Sequence, residues 1–123
     1  MILADTSVWI DHLHAADPEL VRLLCEECVL AHPFVIGEIA LGSLRNRNAV
    51  LSVLADLLSA AAATPEELLY FIESERLTNR SIGYVDAALL ASARLTPGVR
   101  LWTRDQHLSK AAQALGVAST PAD

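Results

Sequence analysis

Aromatic residues are scarce in this 123-residue chain, only 5% of positions, although 53% of it is hydrophobic. Ala, Leu and Val carry that hydrophobicity, which argues against an aromatic-rich β sandwich and for helices packed on a small sheet. Long apolar runs are also missing: charge breaks each one well short of the roughly 18 residues a membrane-spanning helix requires. Met1 leads straight into strand-like sequence with no basic segment or cleavage site before it, so a soluble, cytoplasmic protein with no membrane partner is expected. Basic residues are outnumbered as well, nine Lys and Arg against fifteen Asp and Glu, for a net charge of −6. Without a general basic footprint, any dealing with nucleic acid must rest on local chemistry. No repeat, linker or low-complexity tract divides the chain, and its length suits a single domain over residues 1–123.

Cysteine is nearly absent too. The two that occur, Cys25 and Cys28, form a CEEC element. A thioredoxin-type pair opens a helix after a strand, whereas this pair closes the amphipathic run PELVRLLCEE. With His32 it offers three potential zinc ligands and no obvious fourth. Structural or incidental thiols are the simpler reading.

What the chain does contain is alternation. Residues 1–5 read as a buried strand and 7–14 as helix, and Asp17-Pro18 opens a helix with apolar positions at Leu20, Val21, Leu23 and Leu24. CVLA (28–31) reads as a strand, 34–44 and 49–62 as helices around a polar RNRN turn, and AAAT (61–64) as a weak strand. Pro65-Glu66-Glu67 opens another helix with acids in its first turn, where the helix dipole favours them. TNRSIG (78–83) is a loop, 84–95 a helix, VRLW (99–102) a strand, 105–115 a helix ended by Gly116, and VAST (117–120) a last edge strand. This order predicts an α/β fold with a mostly parallel sheet and helices on both faces. Ligands in such sheets bind beyond the carboxyl ends of the strands, where strand order reverses. Asp5 ends the first strand and Thr103-Arg104-Asp105 a later one, so both acids are candidates for one cleft.

Two further carboxylates stand in unfavourable places. Glu38 is the sole charge in PFVIGEIALGSL, with Phe34, Val35, Leu41 and Gly42 as its helical neighbours, and Asp86 repeats the pattern in GYVDAALLASA. An unpaired carboxylate on an apolar face is expensive to desolvate. Each acid has an ordinary explanation taken singly, as a cap, a dipole partner or half of an ion pair. Brought together, the four repel one another unless a cation sits among them, and carboxylate oxygens with retained water suit Mg²⁺ or Mn²⁺. On that reading Asp5 is a ligand rather than a cap, and Thr6 and Ser7 do the capping.

These residues carry a family resemblance. DTSVWIDHL at the start, GEIALGSL in mid-chain, VDAALLASA on a helix and LWTRDQHL near the end occur in an order and spacing that resemble the PIN-domain ribonucleases, specifically the VapC type of toxin from toxin–antitoxin pairs. The likeness spans essentially the whole chain. It implies a PIN-like α/β/α sandwich around a central, mostly parallel sheet, and a Mg²⁺-dependent endoribonuclease that cuts structured RNA. It also implies a homodimer and a cognate VapB-type antitoxin. Carried over motif by motif, Asp5, Glu38, Asp86 and Asp105 form the acidic metal site, with Ser7 and Thr103 steadying phosphate and carboxylates.

His107, in a first helical turn beside Gln106, reads as a solvated residue, and the cluster Arg45, Asn46, Arg47 with Arg76 and Arg80 reads either as an RNA track or as solvated turns. Other functions were weighed on the same residues. A receiver-type phosphoacceptor needs an acid pair at the first strand end and a Lys after the last strand, and here Asp5 stands alone and Lys110 lies mid-helix. A haloacid-dehalogenase-like phosphatase needs a second acid two residues after Asp5, where Ser7 stands. A PIN nuclease of RNA processing or DNA metabolism fits the same motifs.

Overall fold

The first strand, β1 (Ile2–Ala4), lies at the centre of a parallel sheet. The computed structural model describes residues 1–119. β1 pairs on one side with β2 (Val29–Leu30) and on the other with β3 (Arg100–Trp102), setting Leu3 opposite both Leu30 and Leu101. Parallel bridges from Ala31 to Ser59 and from Leu101 to Ala118 extend the sheet by one residue on each side. Across the sheet the order is thus Ser59, β2, β1, β3, Ala118. The chain steps outward in one direction to Ser59 and then returns to the far side of β1. That reversal makes the crevice between the carboxyl ends of β1 and β3 the switch point, where this class of sheet binds ligands.

Seven helices flank the strands among the described residues: α1 (Thr6–His14), α2 (Pro18–Cys25), α3 (Pro33–Leu41), α4 (Arg47–Asp56), α5 (Pro65–Ser74), α6 (Tyr84–Leu95) and α7 (Gln106–Ala114). Their starts are written in the sequence. Asp17 caps α2 ahead of Pro18, and Thr64 and Glu67 cap α5 reciprocally around Pro65. α7 gives way to Gly116 at φ +73°, a left-handed position that favours glycine. α6 is the innermost helix, with every residue from Ala87 to Ala93 buried. Leu89 and Leu90 join Leu3, Leu20, Ile39, Leu101 and Leu108 among the fully buried side chains, each contributing about 1.5–3 kcal/mol of apolar burial.

Several expected boundaries move. The helix expected over 49–62 is α4, which stops at Asp56 so that Ser59 can run beside Ala31. The weak strand expected at 61–64 therefore sits a few residues earlier, fixed by Ala31 N–H to Leu58 O and Ala60 N–H to Ala31 O, both 2.8 Å. In a stretch of Ser and Ala no side chain marks the register, so the backbone pairing decides it. Within the loop expected at 78–83, Leu77–Asn79 makes a single 3₁₀ turn. The final edge strand is a bridge at Ala118, and its expected end, Thr120, lies outside the described residues. The CEEC element closes α2, with Cys25 exposed, Cys28 half-buried and both thiols free. No helix among the described residues is long and apolar enough to cross a membrane.

Candidate active site

Asp5 is the first residue after β1 and is 95% buried, at 5% relative exposure. Burial pushes its carboxyl pKa above the usual carboxylate value, opposed by the hydroxyls of Ser7 and Thr103 and by the backbone. Oδ1 accepts from Ser7 Oγ at 2.5 Å and from Val8 N–H at 3.3 Å, and Oδ2 accepts from Thr103 Oγ1 at 2.5 Å. Asp5 is consequently the N-cap of α1 as well as a candidate site acid. This corrects the assignment of capping to Thr6 and Ser7: their hydroxyls serve carboxylates instead. Ser7 Oγ also accepts from Arg104 N–H at 3.0 Å, and Thr6 Oγ1 donates to Glu38 Oε1 at 2.5 Å.

Glu38 arrives on α3, whose N-terminus follows β2. The sequence suggested an apolar, desolvating face around it, yet Glu38 is exposed, and so are its neighbours Phe34 and Leu41. α3 is apolar nearly all round, so periodicity alone could not say which side is buried. Asp86 arrives on the first turn of α6, where Oδ2 accepts from Gly83 N–H at 3.1 Å. Its pKa is raised, first by burial and then by the negative charges of Asp5, Asp105 and Glu38, against the pull of the Gly83 bond. Asp105 caps α7, its Oδ1 accepting from Leu108 N–H at 2.9 Å, while its own N–H donates to Thr103 Oγ1 at 3.0 Å.

Three of the four acids therefore cap helices that begin at the carboxyl edge of the sheet, where exposed N–H groups and the helix dipoles favour negative charge. That is how the fold tolerates so many carboxylates in one place. Asp86 Oδ1, Asp105 Oδ2 and Glu38 Oε2 accept no hydrogen bond among the described residues. No three His, Cys, Asp or Glu residues among the described residues stand close enough to enclose an ion unaided. A donor set made of carboxylate oxygens suits a hard divalent cation that keeps part of its water shell, as Mg²⁺ does.

Arg104 fastens the loop after β3. Its Nε lies 2.8 Å from Asp11 Oδ2, its Nη2 2.5 Å from Asp17 Oδ2, and its guanidinium 5.7 Å from the Trp102 ring centroid. The loop carrying Thr103 and Asp105 is thereby tied to α1 and to the start of α2. Nothing in the sequence marked this role, or the one Thr6 plays toward Glu38. His32, weighed as a zinc ligand, is buried instead at the N-cap of α3, where Nδ1 accepts from Phe34 N–H at 3.0 Å and burial lowers its pKa. His107 is exposed, as expected. Arg45, Arg47, Arg76 and Arg80 are all exposed, and Arg47 Nε donates to the Ala40 carbonyl at 3.0 Å.

Comparison with known proteins gives the family. The family described as PIN domain matches residues 2–114. Ribonuclease VapC32 of Mycobacterium tuberculosis is 50% identical over 118 residues, covering 96% of this chain and 95% of the relative, in strain CDC 1551 / Oshkosh and equally in strain ATCC 25618 / H37Rv.

Proposed function

The chain belongs to the PIN-domain family, in its VapC branch, and from that premise we propose that it is the toxic nuclease of a toxin–antitoxin pair. Its activity on this reading is Mg²⁺-dependent endonucleolytic cleavage of structured RNA of the tRNA or rRNA class, with Mn²⁺ able to substitute. The observation that supports it best is the joining of two acids at the switch point of the sheet through Thr103, whose hydroxyl donates to Asp5 Oδ2 at 2.5 Å and accepts the Asp105 N–H at 3.0 Å. One domain over residues 1–123, a cytoplasmic location, a homodimer and a VapB-type antitoxin belong to the same reading.

When bound, a divalent cation supplies charge neutralisation for the phosphate and a more acidic water. Glu38, Asp86 and Asp105 each turn one uncommitted oxygen toward that role, while Asp5 is the anchor whose oxygens Ser7 and Thr103 hold in place. The N-termini of α1, α6 and α7 favour the negative charge of a phosphate once the carboxylates are neutralised. Ser7 and Thr103 orient Asp5, and the exposed Glu38 is placed to accept a proton from water.

The family assignment removes the receiver and haloacid-dehalogenase readings, because neither shares this fold family. The toxin reading is preferred over RNA processing or DNA metabolism because of the VapC relatives. Incubating total RNA with wild type or Asp5→Asn, in Mg²⁺ and in EDTA, and mapping new 5′ ends tests it. Discrete new ends that need both Mg²⁺ and Asp5 are the expected result. Ends that persist in Asp5→Asn or in EDTA contradict the mechanism.

A further inference from the structure

The chain has six aromatic side chains, two each of Trp, Tyr and Phe. Trp9 and Trp102 are core residues at 3% and 8% exposure, whereas Phe34 is 41% and Tyr84 49% exposed. Those two rings touch, with centroids 6.4 Å apart and planes 33° from parallel, and Phe34 is braced from behind by the edge of buried His32 at 5.2 Å. The three rings form a short row along the carboxyl edge of the sheet, from the end of β2 to the start of α6.

The position of this row matters more than its exposure. Phe34 lies one helical turn from Glu38 on the same side of α3, whereas Tyr84, two residues before Asp86 on α6, points to a different side of that helix and meets the site through Phe34. The pair therefore links the two helices that carry those acids, with Phe34 as the ring beside Glu38. We propose that Phe34 and Tyr84 form a stacking platform for an unpaired base adjoining the scissile phosphate, an inference that rests on the ribonuclease reading above.

Stacking needs an exposed π face held rigidly, and it is tolerant of base identity because every base has one. The His32 edge and the helix N-termini fix the two rings. With centroids 6.4 Å apart and tilted planes, the two rings stand too near each other to sandwich a base, so stacking uses their exposed faces. Arg80, four residues before Tyr84, is exposed and makes no ion pair among the described residues, so its charge is free to meet a phosphate. The other exposed aromatic, Tyr70 at 76%, belongs to a groove of about 600 Å³ between α5 and α6 that includes Glu66, Glu67 and Glu75. α5 carries none of the four candidate site acids, so exposure alone does not single out the platform; the place of Phe34 beside Glu38 does.

The test uses an RNA hairpin carrying the cut mapped with wild type, in Mg²⁺. Phe34→Leu and Tyr84→Leu keep an apolar side chain without a ring, and each should raise KM roughly 5- to 100-fold, while Tyr84→Phe stays near wild type. An abasic substitution at one nucleotide flanking the cut should raise KM for wild type and add little in Tyr84→Leu, the coupling expected of two partners in one contact. Cleavage with unchanged KM in both Leu variants, or an abasic effect that adds fully to theirs, overturns the platform while leaving the nuclease intact. A change of oligomeric state in the Leu variants by sedimentation, with wild-type KM, assigns the pair to a protein contact and also overturns it. Absence of any mapped cut with wild type removes the ribonuclease reading and the platform together.

Discussion

Thr103 at the end of β3 donates its hydroxyl to Oδ2 of Asp5 across 98 residues of sequence, at 2.5 Å. The same Thr103 oxygen accepts the Asp105 N–H, so one hydroxyl links two of the four acids and both inner strands of the site. Thr103→Val keeps the shape and removes both bonds. Leaving a buried carboxylate oxygen without its donor should cost about 1–3 kcal/mol and raise the Asp5 pKa further, whereas Thr103→Ser should retain most of the activity. Urea denaturation and the pH profile of cleavage read the two effects separately. A Val variant with wild-type stability and an unmoved profile would show that the hydroxyl is idle.

Stability should respond to pH in a direction set by Asp5 and Asp86. Both carry raised pKa values in the folded state, so between the ordinary carboxylate value of 3.8 and their folded values the native protein binds more protons than the unfolded chain. These two groups therefore make the apo protein lose stability as pH rises through that window, against the usual acid denaturation. Asp17, with its pKa lowered chiefly by the Leu20 N–H, works the other way and favours folding above 3.8. Melting temperature against pH should fall less steeply through the window in Asp86→Asn than in wild type. Parallel curves for the two proteins would mean that Asp86 is not strained by its neighbours.

The Arg104 latch is exposed enough for salt to reach it. Arg104→Ala should cost about 1 kcal/mol at low ionic strength, and most of that difference should vanish near 1 M salt, where charges are screened within about 3 Å. A salt-independent loss would assign the effect to packing on Trp102 rather than to Asp11 and Asp17.

On the toxin reading, four carboxylates gathered in a chain of net charge −6 also predict the manner of inhibition by an antitoxin. An Arg from its tail, reaching Asp5, Asp86 or Asp105 bidentately, should compete with the cation, while apolar contacts hold the rest of the tail. Changing that Arg to Ala should restore nuclease activity at high Mg²⁺ in an intact complex. A complex that stays inactive at every Mg²⁺ concentration would point to blocked RNA access instead.

Much of this site was legible in the chain because its acids break local rules. Asp5 ends an apolar strand, Asp86 interrupts VDAALL, and Asp105 follows LWT, so strand ends and helix starts mark three candidate acids in the sequence itself. Their second duty was not legible: a carboxylate that caps a helix and one that awaits a cation look alike in sequence, and here Asp5 and Asp105 cap while remaining at the site. Glu38 was found for an incomplete reason, since its apolar neighbours Phe34 and Leu41 face outward. Long-range partners such as Thr6 with Glu38 and Arg104 with Asp11 depend on how elements dock, and no periodicity encodes that. The strands β1, β2 and β3 are readable in the sequence, but their order across the sheet and the bridge at Ser59 are not, since small residues there leave the backbone free to choose its register.

The account stands most directly on one cation bound by the four acids together. Mg²⁺ or Mn²⁺ titrated into the folded protein should raise its melting temperature, with about 2.7 kcal/mol of stabilisation at one hundred times the dissociation constant. Asp86→Asn should lose most of that rise yet fold at least as well without the ion, because Asn can still accept the Gly83 N–H and one repelling charge is gone. If instead the ion leaves wild type unmoved while Asp86→Asn unfolds, the carboxylates serve the fold alone, as helix caps and side-chain hydrogen-bond acceptors, and the nuclease mechanism built on them is wrong.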